Sequence, residues 1–547
     1  MHSVQLVVAL LVVLVALVAL AIRLNISYPI VLVLGGLLLA IPPRLPVIHL
    51  EPDIVFLVFL PPLLFSDAVN SSWRNFRENW RPIFLLSVGL VLATTFSVML
   101  VAHLLLGMAW GPAFVLGAVL GPTDTVAVGA ILERFPIPRR LNAILRGESL
   151  VNDASALVLF EAAIHTTQQK SYVWGTLISH FFLAVAGGVI IGGVVGWLAV
   201  QLRRHTTDPL LSNTISLLAA FAAYQPAAAL HVSGVLAVVT AGLYLGWNDP
   251  RTSTPRARLQ AAGSWEMLTF LLNGVLFILI GLQLRTVGEP LWSQNPWLLL
   301  GGGIAVSVTV ICARIVWVFV STSWPWKWPL LLTRDSPSVD RSQAKPQAIL
   351  LSWVGIRGGI SLAAALAIPP TLADGSPFLQ RAEVIIFTFA VILVTLLGQG
   401  LTLPKLLSRL RFGLQPGRES DEIKARLAMA TTAVHYLTSL EEPDAAKGKA
   451  IAHLYDVYGQ EMEAPSAESS EPAGHPPSPS LRRDGLSQTQ FLGSVVSLEL
   501  AIVKQQRARL IELRDKGEIA DDVLRRFQSI LDLKESQLDQ TRSSWEG

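Results

Sequence analysis

The chain has 547 residues, of which 52% are hydrophobic and only 15% charged, with a net charge of +3 and a mean hydropathy of +0.52. Soluble domains carry about 25% charged residues, so this composition excludes an ordinary soluble enzyme. The apolar runs are of helix length, not the ~10-residue alternation of an outer-membrane barrel, and predict an all-α polytopic membrane protein. The single cysteine, Cys312, excludes a disulfide framework and a thiolate metal site.

In chain order, about 13 transmembrane spans are predicted, near 4–22, 28–43, 50–66, 82–106, 111–132, 147–165, 173–202, 210–229, 232–247, 264–284, 296–322, 347–368 and 379–403. The first run lacks a preceding basic stretch, and Arg23 follows it, so it reads as a retained span and not a signal peptide. With the N-terminus outside, the inside loops carry 20 Lys and Arg and the outside loops only four, Arg44, Lys170, Arg285 and Arg381. That asymmetry predicts a multi-pass protein of the cell (plasma or inner) membrane with its tail in the cytoplasm.

The predicted domains are a transmembrane domain (1–410), a cytoplasmic helical segment (411–462), a Pro/Ser-rich linker (463–486) and a cytoplasmic helical hairpin (487–547). The linker, around EAPSAESSEPAGHPPSPS, lacks the apolar residues to fold. In the hairpin, Ile519, Val523, Phe527 and Ile530 recur at helical spacing and DKGE (515–518) makes the turn. The tail reads as a packing or dimerisation module; a regulatory sensor is the alternative, for which no ligand motif is present.

The chemistry concentrates in four spans. Asp124 lies in GPTDTVAVGAIL (121–132) and Asp153 in ESLVNDASALVLF (148–160), both inside apolar runs. An acid at membrane depth costs about 2.5–3.5 kcal/mol even on lenient scales, which marks these positions as functional candidates. Gly121-Pro122-Thr123-Asp124 in span five and Gly355-Ile356-Arg357-Gly358-Gly359 in span twelve are predicted helix breaks. If spans 1–6 and 8–13 form two halves, both breaks fall in the fifth member of their half, the pattern of a transporter site at the midplane. Close helix packing through glycine is the competing explanation, but it requires neither Asp124 nor Arg357.

Span six adds Glu148, Ser149, Asn152 and Asp153. Four-residue spacing puts Ser149 with Asp153 on one face and Glu148 with Asn152 on another. These hard oxygens suit a small alkali cation; Ca²⁺ would ask for 6–8 oxygens and usually several carboxylates. A carboxylate withdrawn from water favours its neutral form, so Asp153 is expected to hold a proton and release it when a cation arrives. A site that takes either ion, and changes access only when occupied, performs antiport. One titrating group exchanges one proton for one monovalent cation, with no net charge moved. Glu148 and Arg357 are expected to form a buried ion pair near the site, and mid-span Arg314 to need a carboxylate partner.

At these motifs the chain resembles the monovalent cation:proton antiporter family 1, the NhaP/NHE-type sodium/proton exchangers, over roughly residues 4–410. LPPLLFSDA (60–68), GPTDTVAV (121–128), GESLVNDASALV (147–158) and GIRGGISLA (355–363) carry the resemblance. It implies inverted repeats, crossed and unwound helices 5 and 12, a homodimer, and elevator-like alternating access. It assigns Asp153 as the cation and proton carboxylate, with Asp124, Thr123 and Ser149 completing the coordination, and Asn152 as the mark of the electroneutral branch. Many relatives have an acid where this chain has Ser66; Asp67 follows one residue later, a turn of about 100° on a helix. Ser66, Asp67 and Arg314 are therefore secondary candidates.

The resulting expectation is a secondary antiporter, not an enzyme, without cofactors, carrying Na⁺ against H⁺, with K⁺ as the alternative cation and Li⁺ open. Membrane lipid and a second copy are the expected partners; no nucleic acid and no nucleotide are expected, since no P-loop is present. A cation channel using the same acids is a rival. An intramembrane aspartyl protease is another, but neither Asp lies in a Gly-x-Gly-Asp setting.

Overall fold

The structure is a computed structural model that describes residues 2–41, 54–132, 134–135, 137–169, 174–288, 296–323, 341–372, 375–410, 412, 416–440, 445–463 and 488–546. Helices account for nearly all of them, and no named strand occurs among the described residues. The chain divides into two compact units. The first comprises Met1–His205, Thr214–Asp249 and Ser264–Gly413; the second comprises Thr206–Asn213, Pro250–Gly263 and Leu414–Gly547.

Among the described residues, six helices are long and apolar enough to cross a membrane: Val7–Leu24, Trp80–Leu106, Phe181–Arg204, Pro255–Gln283, Leu299–Ser321 and Arg381–Leu410. Their exposed faces carry Val, Leu, Ile, Phe and Trp, as a lipid-facing surface should. The segments expected as spans five and twelve are each two shorter helices. Trp110–Val119 and Thr125–Leu132 flank one break, and Arg341–Trp353 and Gly359–Leu366 flank the other. The Arg139–Gln169 helix is 31 residues long, but polar side chains interrupt its apolar surface. It packs against Trp110–Val119 and the turn Leu85–Gly89.

That turn is π-helical, as are Val55–Phe59 and Thr395–Gln399. A π turn widens the helix and frees backbone groups, which other parts of the protein must satisfy within a membrane. At Leu85 the carbonyl accepts the indole N–H of Trp317 at 3.2 Å.

Small residues bring some helices together backbone to backbone. A Cβ on Gly281 would lie 2.4 Å from the Val33 carbonyl oxygen and 2.7 Å from the Leu37 nitrogen. A Cβ on Gly36 would lie 2.4 Å from the Ile278 oxygen. Only glycine permits this approach of Tyr28–Ala40 to Pro255–Gly288.

The second unit holds Pro416–Thr438, Ala445–Glu463, Gln488–Lys516 and Asp521–Glu546. The helical segment expected over 411–462 is thus two helices, the second running to Glu463, and all but the first residue of the expected linker lies outside the described residues. Gly517, at φ 81°, turns the chain between the last two helices, and Ile519, Val523 and Phe527 are buried with Leu510 and Leu513. Ile530 is only partly buried; Leu531 takes the core position. Asp532, 2% exposed, accepts two bonds from Arg258, at 2.7 and 2.5 Å, and one from Arg507 at 2.9 Å.

Gly281→Val should force those two helices apart and cost about 1–3 kcal/mol by overpacking. It is expected to melt below the wild type in detergent; an unchanged melting temperature would rule out the close approach.

Candidate functional site

The two helix breaks lie against each other. Trp110–Val119 ends before Gly121-Pro122, where proline cannot donate a backbone hydrogen bond and four residues run unwound to Asp124. Arg341–Trp353 ends similarly before Gly355, and Gly358 leads into the next half-helix. The amide of Asp124 donates to the Ile356 carbonyl at 2.8 Å. In return, Nη1 of Arg357 donates to the carbonyls of Gly121 and Pro122, each at 2.6 Å. These carbonyls have lost their helical partners, and a fully buried guanidinium satisfies both.

Asp124 also serves as a cap. Its Oδ1 accepts from the amides of Val126 at 2.9 Å and Ala127 at 3.3 Å, at the start of the Thr125–Leu132 helix. That is the geometry of an N-cap carboxylate facing a helix dipole. Its Oδ2 would sit 1.8 Å from a Cβ at Gly358, so Gly358 is the space in which the carboxylate lies.

The Arg139–Gln169 helix supplies the rest. Ser149 Oγ donates to the Thr123 carbonyl at 2.9 Å, and Asn152 Nδ2 donates to Thr123 Oγ1 at 2.6 Å. The Thr123 hydroxyl in turn donates to Glu148 Oε1 at 3.3 Å. Thr123, Ser149, Asn152 and Asp153 are all buried. Glu148, Ser149 and Asn152 of one helix thus close on Thr123 of the unwound segment.

Glu148 corrects an expectation. Its carboxylate is held by Arg314, not Arg357, through Nη1 at 2.6 Å and Nη2 at 3.0 Å. Arg314 Nε donates to the Leu351 carbonyl at 2.8 Å, and both partners of the pair are almost wholly buried. The continuous Pro296–Ser323 helix presents Arg314 opposite Glu148, whereas Arg357 is committed to the freed carbonyls.

Asp153 is a charge that stays partly open, as are Nε and Nη2 of Arg357 among the described residues. It is 4% exposed, and its Oδ1 has no hydrogen-bond partner among the described residues; the same is true of Asn152 Oδ1. A buried carboxylate oxygen without a donor needs a proton or a cation. Arg357, Asp124 and Asp67 are close enough to Asp153 for their charges to act on it. Ser66 is buried while Asp67 is exposed, as neighbours about 100° apart on a helix should be.

Two residues of the Thr395–Gln399 turn were not singled out from the sequence. Thr395 Oγ1 accepts the backbone N–H of Arg357 at 3.1 Å, and Gln399, 2% exposed, lies beside Gly355 and Arg314. A glutamine inside the apolar run 379–403 was the available signal.

Residues 8–409 match the family described as sodium/hydrogen exchanger, transmembrane. An uncharacterized Na⁺/H⁺ exchanger of Mycobacterium tuberculosis is 34% identical, over 94% of this chain and 92% of its own length. A sodium, potassium, lithium and rubidium/H⁺ antiporter of Bacillus pumilus is 33% identical, over 70% of this chain and 58% of its own. The solved structure of the sodium proton antiporter MjNhaP1 from Methanocaldococcus jannaschii superposes with a TM-score of 0.61 at 18% identity, covering 75% of this chain and 99% of that one.

Arg314→Met leaves the Glu148 carboxylate buried without its partner, which should cost about 3–5 kcal/mol. The double variant Arg314→Met/Glu148→Gln should recover most of that loss, as read from melting in detergent. Equal destabilisation of single and double variants would remove the pair as the cause.

Proposed function

The chain belongs to the sodium/hydrogen exchanger family, and from that premise we propose that it is a secondary antiporter exchanging Na⁺ for H⁺ at Asp153, one for one. Family membership makes it a multi-pass membrane protein of cation/proton exchange. The observation that carries the finer reading is the buried Asp153 oxygen that no donor meets among the described residues. The arrangement serves one ion at a time: a proton neutralises Asp153 in one state and an alkali cation replaces it in the other. Asp153 and Asn152 supply side-chain oxygens to that cation, and Thr123, Asp124 and Ser149 line the same place.

Stoichiometry follows from which charges are committed. Glu148 is neutralised by Arg314, and Asn152, beside Asp153, carries no charge. Asp124 is engaged as a helix cap. Asp153 alone then changes its proton, and exchange is electroneutral. Asp67, exposed and within electrostatic reach of the site, draws cations towards it, and buried Ser66 lies next to it. Na⁺ is the cation we assign; the name of the Bacillus pumilus relative, which includes potassium, is the specific support for K⁺ as the second reading.

Access alternates by movement of the two joined half-helix pairs against the remaining spans. Thirteen spans in two inverted halves, a homodimer, an outside N-terminus and a cytoplasmic tail in the cell membrane complete the proposal. The support is the asymmetric placement of Lys and Arg between alternate loops and the two breaks at corresponding positions. The physiological role is pH and cation homeostasis.

In sealed proteoliposomes, Asp153→Asn should abolish Na⁺-driven proton movement. In the wild type, the apparent KM for Na⁺ should rise as pH falls, because the proton and the cation compete for one carboxylate, while an imposed membrane potential leaves the rate unchanged. Exchange retained in Asp153→Asn, or a rate that follows the potential, would refute this reading.

A further inference from the structure

We propose that Thr395 is a positioning residue of the ion site: its hydroxyl fixes where Arg357 stands, and through Arg357 it sets the geometry of the unwound segment that lines the site. This rests on the reading of Asp153 as the exchange carboxylate.

A broken helix frees backbone amides as well as carbonyls. The amide of Arg357 lies in such a break, 1% exposed, and Thr395 Oγ1 accepts it at 3.1 Å. The same hydroxyl donates its own hydrogen to the Val391 carbonyl at 2.8 Å. Thr395 thus accepts and donates at once, a combination that among residues of its size only a hydroxyl offers. Its side chain is fully buried, so water cannot substitute.

Its place in the helix explains the reach. Thr395 opens the π turn Thr395–Gln399, where the helix widens toward the break. π turns recur at functional sites, where the extra residue aims a side chain away from the regular ladder. At the far end of the turn Gln399 is buried with neither amide atom hydrogen-bonded among the described residues; its Oε1 lies 3.7 Å from where a Cβ of Gly355 would be, and Arg314 Cδ is 2.7 Å from the same point. One turn therefore borders both buried arginines.

The consequence passes through Arg357 to the site in two steps. Its guanidinium holds the carbonyls of Gly121 and Pro122, and the next residues, Thr123 and Asp124, carry the contacts to Ser149, Asn152 and the second half-helix. A backbone shift at Arg357 moves a positive charge that acts on Asp153. A residue that merely stabilised the fold would change the amount of active protein; a residue that sets this charge changes cation affinity and the pH dependence of exchange.

The test compares Thr395→Val, which keeps the shape and loses the hydroxyl, with Thr395→Ser, which keeps the hydroxyl, in proteoliposomes normalised to folded protein. Thr395→Val should raise the apparent KM for Na⁺ about three- to tenfold, the value of one hydrogen bond, and displace the pH midpoint of exchange. Thr395→Ser should regain most of the wild-type affinity. If Thr395→Val fails to fold, Thr395→Ala against Thr395→Ser is read in the same way. Wild-type KM and pH profile in the folded hydroxyl-less variant would overturn the proposal, as would a serine variant no better than valine. Asp153→Asn, measured alongside, separates the two ideas: activity there defeats the exchange reading itself, whereas its loss together with an unaltered Thr395→Val defeats only the role of Thr395.

Discussion

A helix that stops partway through a bilayer leaves carbonyls and amides that lipid cannot satisfy, and each costs several kcal/mol if left alone. Two such interruptions, at Gly121–Asp124 and at Val354–Gly358, meet here and satisfy each other. Arg357 takes two carbonyls, Ile356 takes the Asp124 amide, the Asp124 carboxylate takes the next amides along, and Thr395 takes the Arg357 amide. The remaining features of the site depend on this exchange of backbone partners, because it holds polar backbone and two charges at a depth where neither would otherwise persist.

The charges divide the work. Glu148 and Arg314 form a closed pair, bidentate and nearly inaccessible, whose carboxylate also receives the Thr123 hydroxyl. Such a pair gives little net stability, yet losing one member is expensive, so it fixes the Arg139–Gln169 helix against the Pro296–Ser323 helix. Asp153, little more than one helical turn further on, has no such partner on Oδ1 among the described residues. A satisfied acid and an open one thus stand five residues apart on a single helix.

Much of this was legible from residue order. Acids, an arginine and paired Gly/Pro breaks inside apolar runs are visible because hydrocarbon penalises them whatever the fold. Helical spacing also placed Ser149, Asn152 and Asp153 on adjoining faces before any contact was known. The partner of Glu148 was not legible. Arg314 and Arg357 are both basic residues in apolar spans, and which one reaches the carboxylate depends on where one helix crosses another. Thr395 was invisible for a different reason: a threonine bonded to its own helix looks identical in sequence to one that also accepts from a neighbour, and the π turn that directs it has no residue signature.

The sequence by itself determined the solvent this chain lives in, the positions where its helices break, and the presence of carboxylates inside its apolar runs. Those follow from transfer free energy and backbone chemistry, which act residue by residue. Only the tertiary structure decided which charge neutralises which, that Asp124 spends one oxygen as a helix cap, and that Ser66 is buried while Asp67 is open. Those depend on distances between segments far apart in the chain, and an electrostatic or hydrogen-bonding choice changes within an ångström.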